Sequence, residues 1–224
     1  AISMVYLFER MFLLHGESKY IDCLERTLYN GVISGMSMDG GRFFYPNPLS
    51  SDGKYKFNAD GNTTRQPWFG CACCPSNLSR FIPVKNIKKG DVIRIHFDMP
   101  IRTVVANGKV ADDKGKVAVE RGPLVYCAEA VDNQNKPVLR AVMAKKPAFS
   151  LVDNYSIENT ETKGAPAFSV KAIQTPSQVL DQTADGTVSV KNQKLTLIPY
   201  YAWNHRGANQ MNVWFYQNLN VLDK

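Results

Sequence analysis

The sequence predicts an α+β chain: a helical segment followed by an antiparallel β-sandwich. Three observations carry this reading. Tyr20, Ile21, Leu24, Leu28, Tyr29 and Val32 recur at the i, i+3/i+4 spacing of a helix. From Val84 onward the apolar residues switch to a period of two, in short runs separated by turn residues. The 224 residues, 44% hydrophobic and 21% charged, have the composition of a folded protein rather than a disordered one. That length suffices for one large domain or two small ones. No apolar run approaches the roughly 18 residues of a membrane span. No basic-then-apolar leader opens the chain either. Ala1 leads straight into a helical pattern, which reads as a mature or cut product.

Residues 2–14 form the first expected helix. Ile2, Val5, Leu7, Phe8, Met11 and Phe12 make it apolar almost all round, which predicts burial on most faces. Cut from its packing partners, such a helix leaves an exposed apolar patch. His15-Gly16-Glu17 is the turn into the second helix, with Ser18 as its expected N-cap and Gly35 as its stop. Two helices joined so tightly form an antiparallel pair. Cys23 falls on the second helix's apolar face and reads as core. Asp39-Gly40-Gly41 is a turn signal, and Phe43-Phe44-Tyr45 before Pro46 is a short extended piece. A long polar loop, 50–67, then delivers the chain to Trp68-Phe69-Gly70 and a cysteine cluster. Pro75, Leu78, Phe81 and Ile82 predict a short helix starting just after Cys74.

The expected strands lie at 92–97, 103–106, 116–119, 124–127, 168–173, 188–190, 195–198 and 211–216. Asn107-Gly108 is a hairpin signal. Many short strands with turns between them argue a sandwich. The change near Pro83 is abrupt and has no linker composition, so the expected units are 1–83 and 84–224.

The net charge is +7, from 27 basic and 20 acidic residues. Nineteen of the basic and thirteen of the acidic side chains lie beyond residue 83, so the excess belongs to the β-rich part. Its lysines are scattered, without the stripe and stacking aromatics of a nucleic-acid surface. No nucleic-acid or membrane partner is therefore expected.

Cysteine is the informative residue. Five is an odd number, and Cys71, Cys73 and Cys74 fall within four positions. Adjacent cysteines cannot bridge each other without strain. Such a cluster suits metal binding or thiolate chemistry better than a disulfide framework. Zinc is the soft or borderline ion that fits thiolates best. The alternative is a set of small buried hydrophobes. Cys127 ends a strand and reads as core. His15 and His96 read as surface or structural residues. His205 does too, although the aromatic loop before it, Tyr200-Tyr201-Ala202-Trp203, could line a sugar site.

Cys-Ala-Cys-Cys-Pro-Ser-Asn at 71–77 resembles the signature of glycoside hydrolase family 127, the β-L-arabinofuranosidases. So do Leu24–Asn30, Arg42–Pro48, Arg102–Asn107, Gly115–Tyr126 and Pro199–Trp203. The resemblance implies C-terminal helices of an (α/α)6 barrel followed by a β-sandwich. It implies retaining glycoside hydrolysis by a zinc-bound cysteine. Cys73 matches the nucleophile, and Cys73 and Cys74 match zinc ligands; Cys71 has no firm role. The expected partner is an oligosaccharide or glycoconjugate substrate. A bacterial cytoplasm or periplasm is implied, with no oligomeric state. The family's acid/base glutamate and its Glu-x-Cys zinc ligands would fall before Ala1, and a β-rich stretch between Pro83 and Val84 is missing. The chain thus resembles a C-terminal, internally shortened piece, expected to be inactive alone. The alternative is a non-catalytic remnant or a carbohydrate-binding β-sandwich module.

Overall fold

A computed structural model describes residues 1–71, 73–81, 99–152, 155–157, 160–161, 166–174 and 191–217. The expected strands at 92–97 and 188–190, His96 and the boundary at Pro83 lie outside these residues.

The helical segment begins with α1 (Ile2–His15), ended by Gly16 in the left-handed conformation at φ 66°. Helix α2 (Ser18–Thr27) follows. Its N-cap is Glu17 rather than Ser18, and no side chain caps it. The helix then widens into a π-helical turn over Leu28–Val32 and tightens into a 3-10 turn ending at Gly35. That wide turn has a structural consequence. It presents Asn30, whose amide nitrogen donates to the Pro123 carbonyl at 2.7 Å and whose oxygen accepts from the Val125 N–H at 2.8 Å. One side chain thus fastens the helical segment to a strand-to-strand turn some ninety residues on.

Two expectations for these helices fail. In α1 only Val5 is buried, while Tyr6, Leu7, Leu13 and Leu14 are exposed, Leu14 by 76%. Apolar composition states a preference for burial, but burial requires a neighbour, and among the described residues α1 packs chiefly on α2. Cys23 is exposed, and none of the described elements covers that edge of α2.

Helix α3 (Cys73–Phe81) starts two residues earlier than the expected start just after Cys74. Leu78 anchors it in a small core with Val5, Val32, Phe43 and Phe69.

The strands are β1 (Ser50–Asp52), β2 (Ile101–Val105), β3 (Lys116–Arg121), β4 (Leu124–Glu129), β5 (Ala141–Met143), β6 (Phe149–Leu151), β7 (Ser156–Ile157), β8 (Thr160–Glu161), β9 (Phe168–Gln174), β10 (Lys191–Pro199), β11 (Gln210–Asn212) and β12 (Phe215–Tyr216). The Asn107-Gly108 turn lies between β2 and β3, which pair antiparallel from Ile101–Arg121 to Val105–Val117. The described strands do not confirm the expected sandwich. Strand β4 pairs with β10, then β9, β5, β12 and β3 follow in order, and β3 pairs back to β4. The described strands close a six-membered, barrel-like ring. A period of two says that one face is buried, but not whether the sheet it belongs to stays open.

The ring encloses Val119, Leu124, Tyr126, Met143, Val170, Leu195, Leu197 and Phe215. The other faces of β4 and β10 are covered as well. Cys127 and Ile198 pack with Tyr200, Trp203 and Met211 against Phe44 of the helical segment. Strand β1 of that segment joins the ring's edge by pairing with β11.

Candidate active site at the start of α3

Three thiols arrive together because a loop and a helix start meet. Gly70 donates its N–H to Asp60 Oδ2 at 3.3 Å, which ties the approach to the loop at 59–61. The chain then enters α3 with Cys73 as its first residue and Cys74 as its second. Ser76 Oγ donates to the Cys73 carbonyl at 3.2 Å. Cys71 and Cys73 are exposed and Cys74 is half-buried. The start of a helix carries partial positive charge, which favours an anionic sulfur there.

A residue the sequence marked only as extended completes the cluster. Tyr45 places its hydroxyl 3.4 Å from Cys73 Sγ. The tyrosine is held from two sides. Its N–H donates to Asn58 Oδ1 at 2.9 Å, and its ring meets Phe69 edge-on with centroids 4.6 Å apart. Asn58 is buried and also donates to the Phe43 and Thr64 carbonyls, so the 43–45 and 58–64 segments are locked together. The signal that could have found Tyr45 is the aromatic run Phe43-Phe44-Tyr45 before Pro46. Its partner lies 28 residues away and is invisible to local spacing.

The electrostatics single out one sulfur. Hydrogen bonds from Tyr45 and then Cys74 hold the Cys73 thiol below its ordinary range. Burial, and then Cys73 itself, push the Cys74 thiol up. The hydrogen bond to Cys73 likewise pushes the Tyr45 hydroxyl up. Of these three groups only Cys73 is shifted towards its ionised form, while Tyr45 and Cys74 are shifted away from theirs. The thiolate is the nucleophilic form of a cysteine.

The sulfurs also bear on zinc. Cys73 Sγ and Cys74 Sγ are 3.9 Å apart. Two thiolates on one tetrahedral zinc, each bonded at about 2.3 Å, stand about 3.8 Å apart. The pair therefore fits half of a zinc site. Among the described residues no group of three or more Cys, His, Asp or Glu converges to complete one.

The sequence-predicted sugar-lining loop is buried instead. Tyr200 and Trp203 are almost wholly inaccessible. The Trp203 ring stacks on Phe44 with centroids 5.3 Å apart. Arg65 lies 4.2 Å over the Phe44 ring and donates to the Trp203 carbonyl at 2.5 Å and the Ser34 carbonyl at 2.9 Å. His205 is structural: Nε2 accepts from the Met38 N–H at 3.0 Å, and Nδ1 donates to the Ala202 carbonyl at 2.9 Å. The loop forms the seam between helical segment and ring. Aromatic composition alone does not tell a sugar platform from a seam.

With this geometry, the matches to known proteins have a place to attach. Residues 101–216, more than half of the chain, match the glycoside hydrolase family 127 C-terminal domain. Residues 1–85 match the β-L-arabinofuranosidase GH127 catalytic domain.

The chain belongs to glycoside hydrolase family 127.

A curated relative, the non-reducing end β-L-arabinofuranosidase of Bifidobacterium longum subsp. longum, is 25% identical, over 96% of this chain and 48% of its own length. That match runs over 316 residues, more than this chain's 224, so the relative carries residues within the matched span that this chain lacks. A solved GH127 β-arabinofuranosidase is 32% identical, with a TM-score of 0.77 over 98% of this chain and 49% of that one. The GH127 β-L-arabinofuranosidase of Geobacillus stearothermophilus T6 shares the fold at a TM-score of 0.76 and 23% identity, over 97% and 49%. The chain spans about half the length of the family 127 relatives it matches. Among its described residues, no helix is long and apolar enough to cross a membrane.

Thiol labelling checks the exposure pattern. In the native, chelator-treated chain, Cys23, Cys71 and Cys73 should react promptly with a disulfide reagent, and Cys74 more slowly. Cys127, fully buried and with its thiol pushed up by that burial, should react only on unfolding. Cys127 reacting with the fast set, or a protected Cys23, would contradict the packing described.

Proposed function

We propose that this chain carries the nucleophile of a retaining, β-L-arabinofuranosidase-like glycoside hydrolase, with Cys73 as that nucleophile. The observation that carries the reading is the convergence of the Tyr45 hydroxyl and the Cys74 thiol on Cys73 Sγ. Both stabilise the sulfur as an anion, and the family's substrates give that anion something to attack.

In this reading the Cys73 thiolate attacks the anomeric carbon of the sugar and displaces the leaving-group oxygen. The sugar is then carried on sulfur as a glycosyl-thioether. Water opens that bond from the same face as the departed aglycone, so the configuration is retained. Tyr45 orients the sulfur and keeps it ionised. A proton donor for the leaving oxygen, a glutamic acid by resemblance, comes from residues additional to these 224. Cys73 and Cys74 would hold zinc, which when bound lowers the thiol pKa further. We also propose that α1, α2 and α3 belong to an (α/α)6 barrel, and that the catalytic part and the β-rich part meet between residues 83 and 84.

The test is hydrolysis of p-nitrophenyl β-L-arabinofuranoside by a longer polypeptide, one that adds the preceding family helices to residues 1–224, assayed with zinc. Turnover is expected from that polypeptide and none from the 224 residues alone. A zinc-loaded longer polypeptide that leaves this substrate untouched would overturn the proposed activity. Turnover by the 224 residues alone would overturn the account of the missing acid.

A further inference from the structure

The ring carries a groove of about 830 Å³ that shares no residue with the sulfur site. That volume lies within the roughly 300–1,000 Å³ of ordinary ligand sites. Its walls come from the β5–β6 connection, from β6, from β9 and from the start of β10. Three lysines line it: Lys146, Lys171 and Lys194, all exposed. Ser150, Ser169, Asn192 and Gln193 supply the neutral polar groups.

Two features of this groove ask for an anion. Lys171 and Lys194 stand directly opposite each other across the β9–β10 pair, in a register fixed from Lys191–Gln174 to Leu197–Phe168. Like charges opposed in this way destabilise a sheet, and the register prevents the two from sliding apart. Among the described residues no acidic side chain lines the groove, and none of the three lysines has an ion-pair partner. A third feature narrows the class. Among the described residues no aromatic side chain lines the groove, so these residues offer no platform for base stacking or a stacked sugar face. Charge and hydrogen bonds remain. At its floor, buried Ser169 donates to the Ser150 carbonyl at 3.5 Å across β9 and β6.

We infer that this groove binds a uronate-bearing polysaccharide, one carboxylate being clamped between Lys171 and Lys194. Lys146 takes the next carboxylate along, and Asn192 and Ser150 take ring hydroxyls. The choice of a glycan over other polycarboxylates rests on the glycoside-hydrolase reading above. Exposed lysines are screened over about 8 Å at physiological ionic strength, so the ligand must be multivalent and its binding must weaken with salt. The groove would hold an acidic polymer while the sulfur site works on a side chain of it.

The 224-residue chain tests this directly, by titration calorimetry at low salt with polygalacturonate. Binding is expected, with at least a tenfold lower association constant for Lys171→Glu. That substitution places a carboxylate opposite Lys194, so the clamp is occupied from within and the melting temperature should hold or rise. Lys171→Arg should bind as the parent does. Fully methyl-esterified polygalacturonate, the same backbone without charge, should not bind. Undiminished binding by Lys171→Glu, or binding of the esterified polymer, would overturn the clamp. Equal binding of poly-L-glutamate would overturn the glycan assignment and leave a generic polyanion surface. Each of these results is separate from the arabinofuranoside assay, in which Lys171→Glu in the longer polypeptide should turn over the small substrate at the parent rate.

Discussion

Cys73→Ala removes arabinofuranoside hydrolysis from the longer, zinc-loaded polypeptide, with an expected fall in kcat of roughly 10⁴-fold or more, the scale on which loss of a covalent nucleophile is felt. The fold should not change. Cys73 is exposed, so removing its sulfur opens no cavity and leaves the Leu78 anchor of α3 in place. Cys73→Ser should be equally inactive, because a hydroxyl at this position is not ionised by one tyrosine and one thiol. Cys127→Ala is the control: it lies in the packed seam, costs stability and leaves the rate alone. Steady-state kinetics and a thermal melt on the three variants separate the possibilities. A Cys73→Ala protein within tenfold of the parent rate would remove Cys73 from the chemistry, whatever its hydrogen bonds.

Trp203→Ala should cost about 3–5 kcal/mol, the range for deleting a fully buried large aromatic. At about 2–4 °C per kcal/mol for a chain of this size, the melting midpoint falls by roughly 10 °C. The cost is high because of what Trp203 joins. Its ring stacks on Phe44 and leans on Phe57, both from the first 83 residues, while its backbone follows directly from β10 and Tyr200. Removing it opens the seam between helical segment and ring and exposes Arg65, whose guanidinium fits against Phe44 and the Trp203 carbonyl. Trp203→Phe keeps most of the stacking and should lose far less. Calorimetric melts decide it: a Trp203→Ala midpoint within 2 °C of the parent would mean the seam is not a stability determinant.

Much of the local structure was legible. The 3.6-residue spacing placed α1 and α2, and the change of period placed β2, β3, β4, β9 and β10 to within a few residues. The misses share a cause. Ser18 has a capping side chain but sits one residue inside α2, where it cannot cap. Cys23 and most of α1 carry apolar side chains, yet no described neighbour covers them. Tyr200 and Trp203 look like a sugar platform in sequence, and in space they are the floor of a seam.

Sequence alone determined what depends on neighbours along the chain: helix and strand periods, three thiols within four residues, an excess of lysine in the second part, and the family. Tertiary structure alone decided what depends on approach through space. It brought the Tyr45 hydroxyl within 3.4 Å of Cys73 Sγ, because a buried Asn58 holds Tyr45 in place. It closed the strands into a ring, because a period of two says which side chains hide but not which strand lies alongside. It opposed Lys171 to Lys194, because register is set by pairing between β9 and β10 and not by either strand alone.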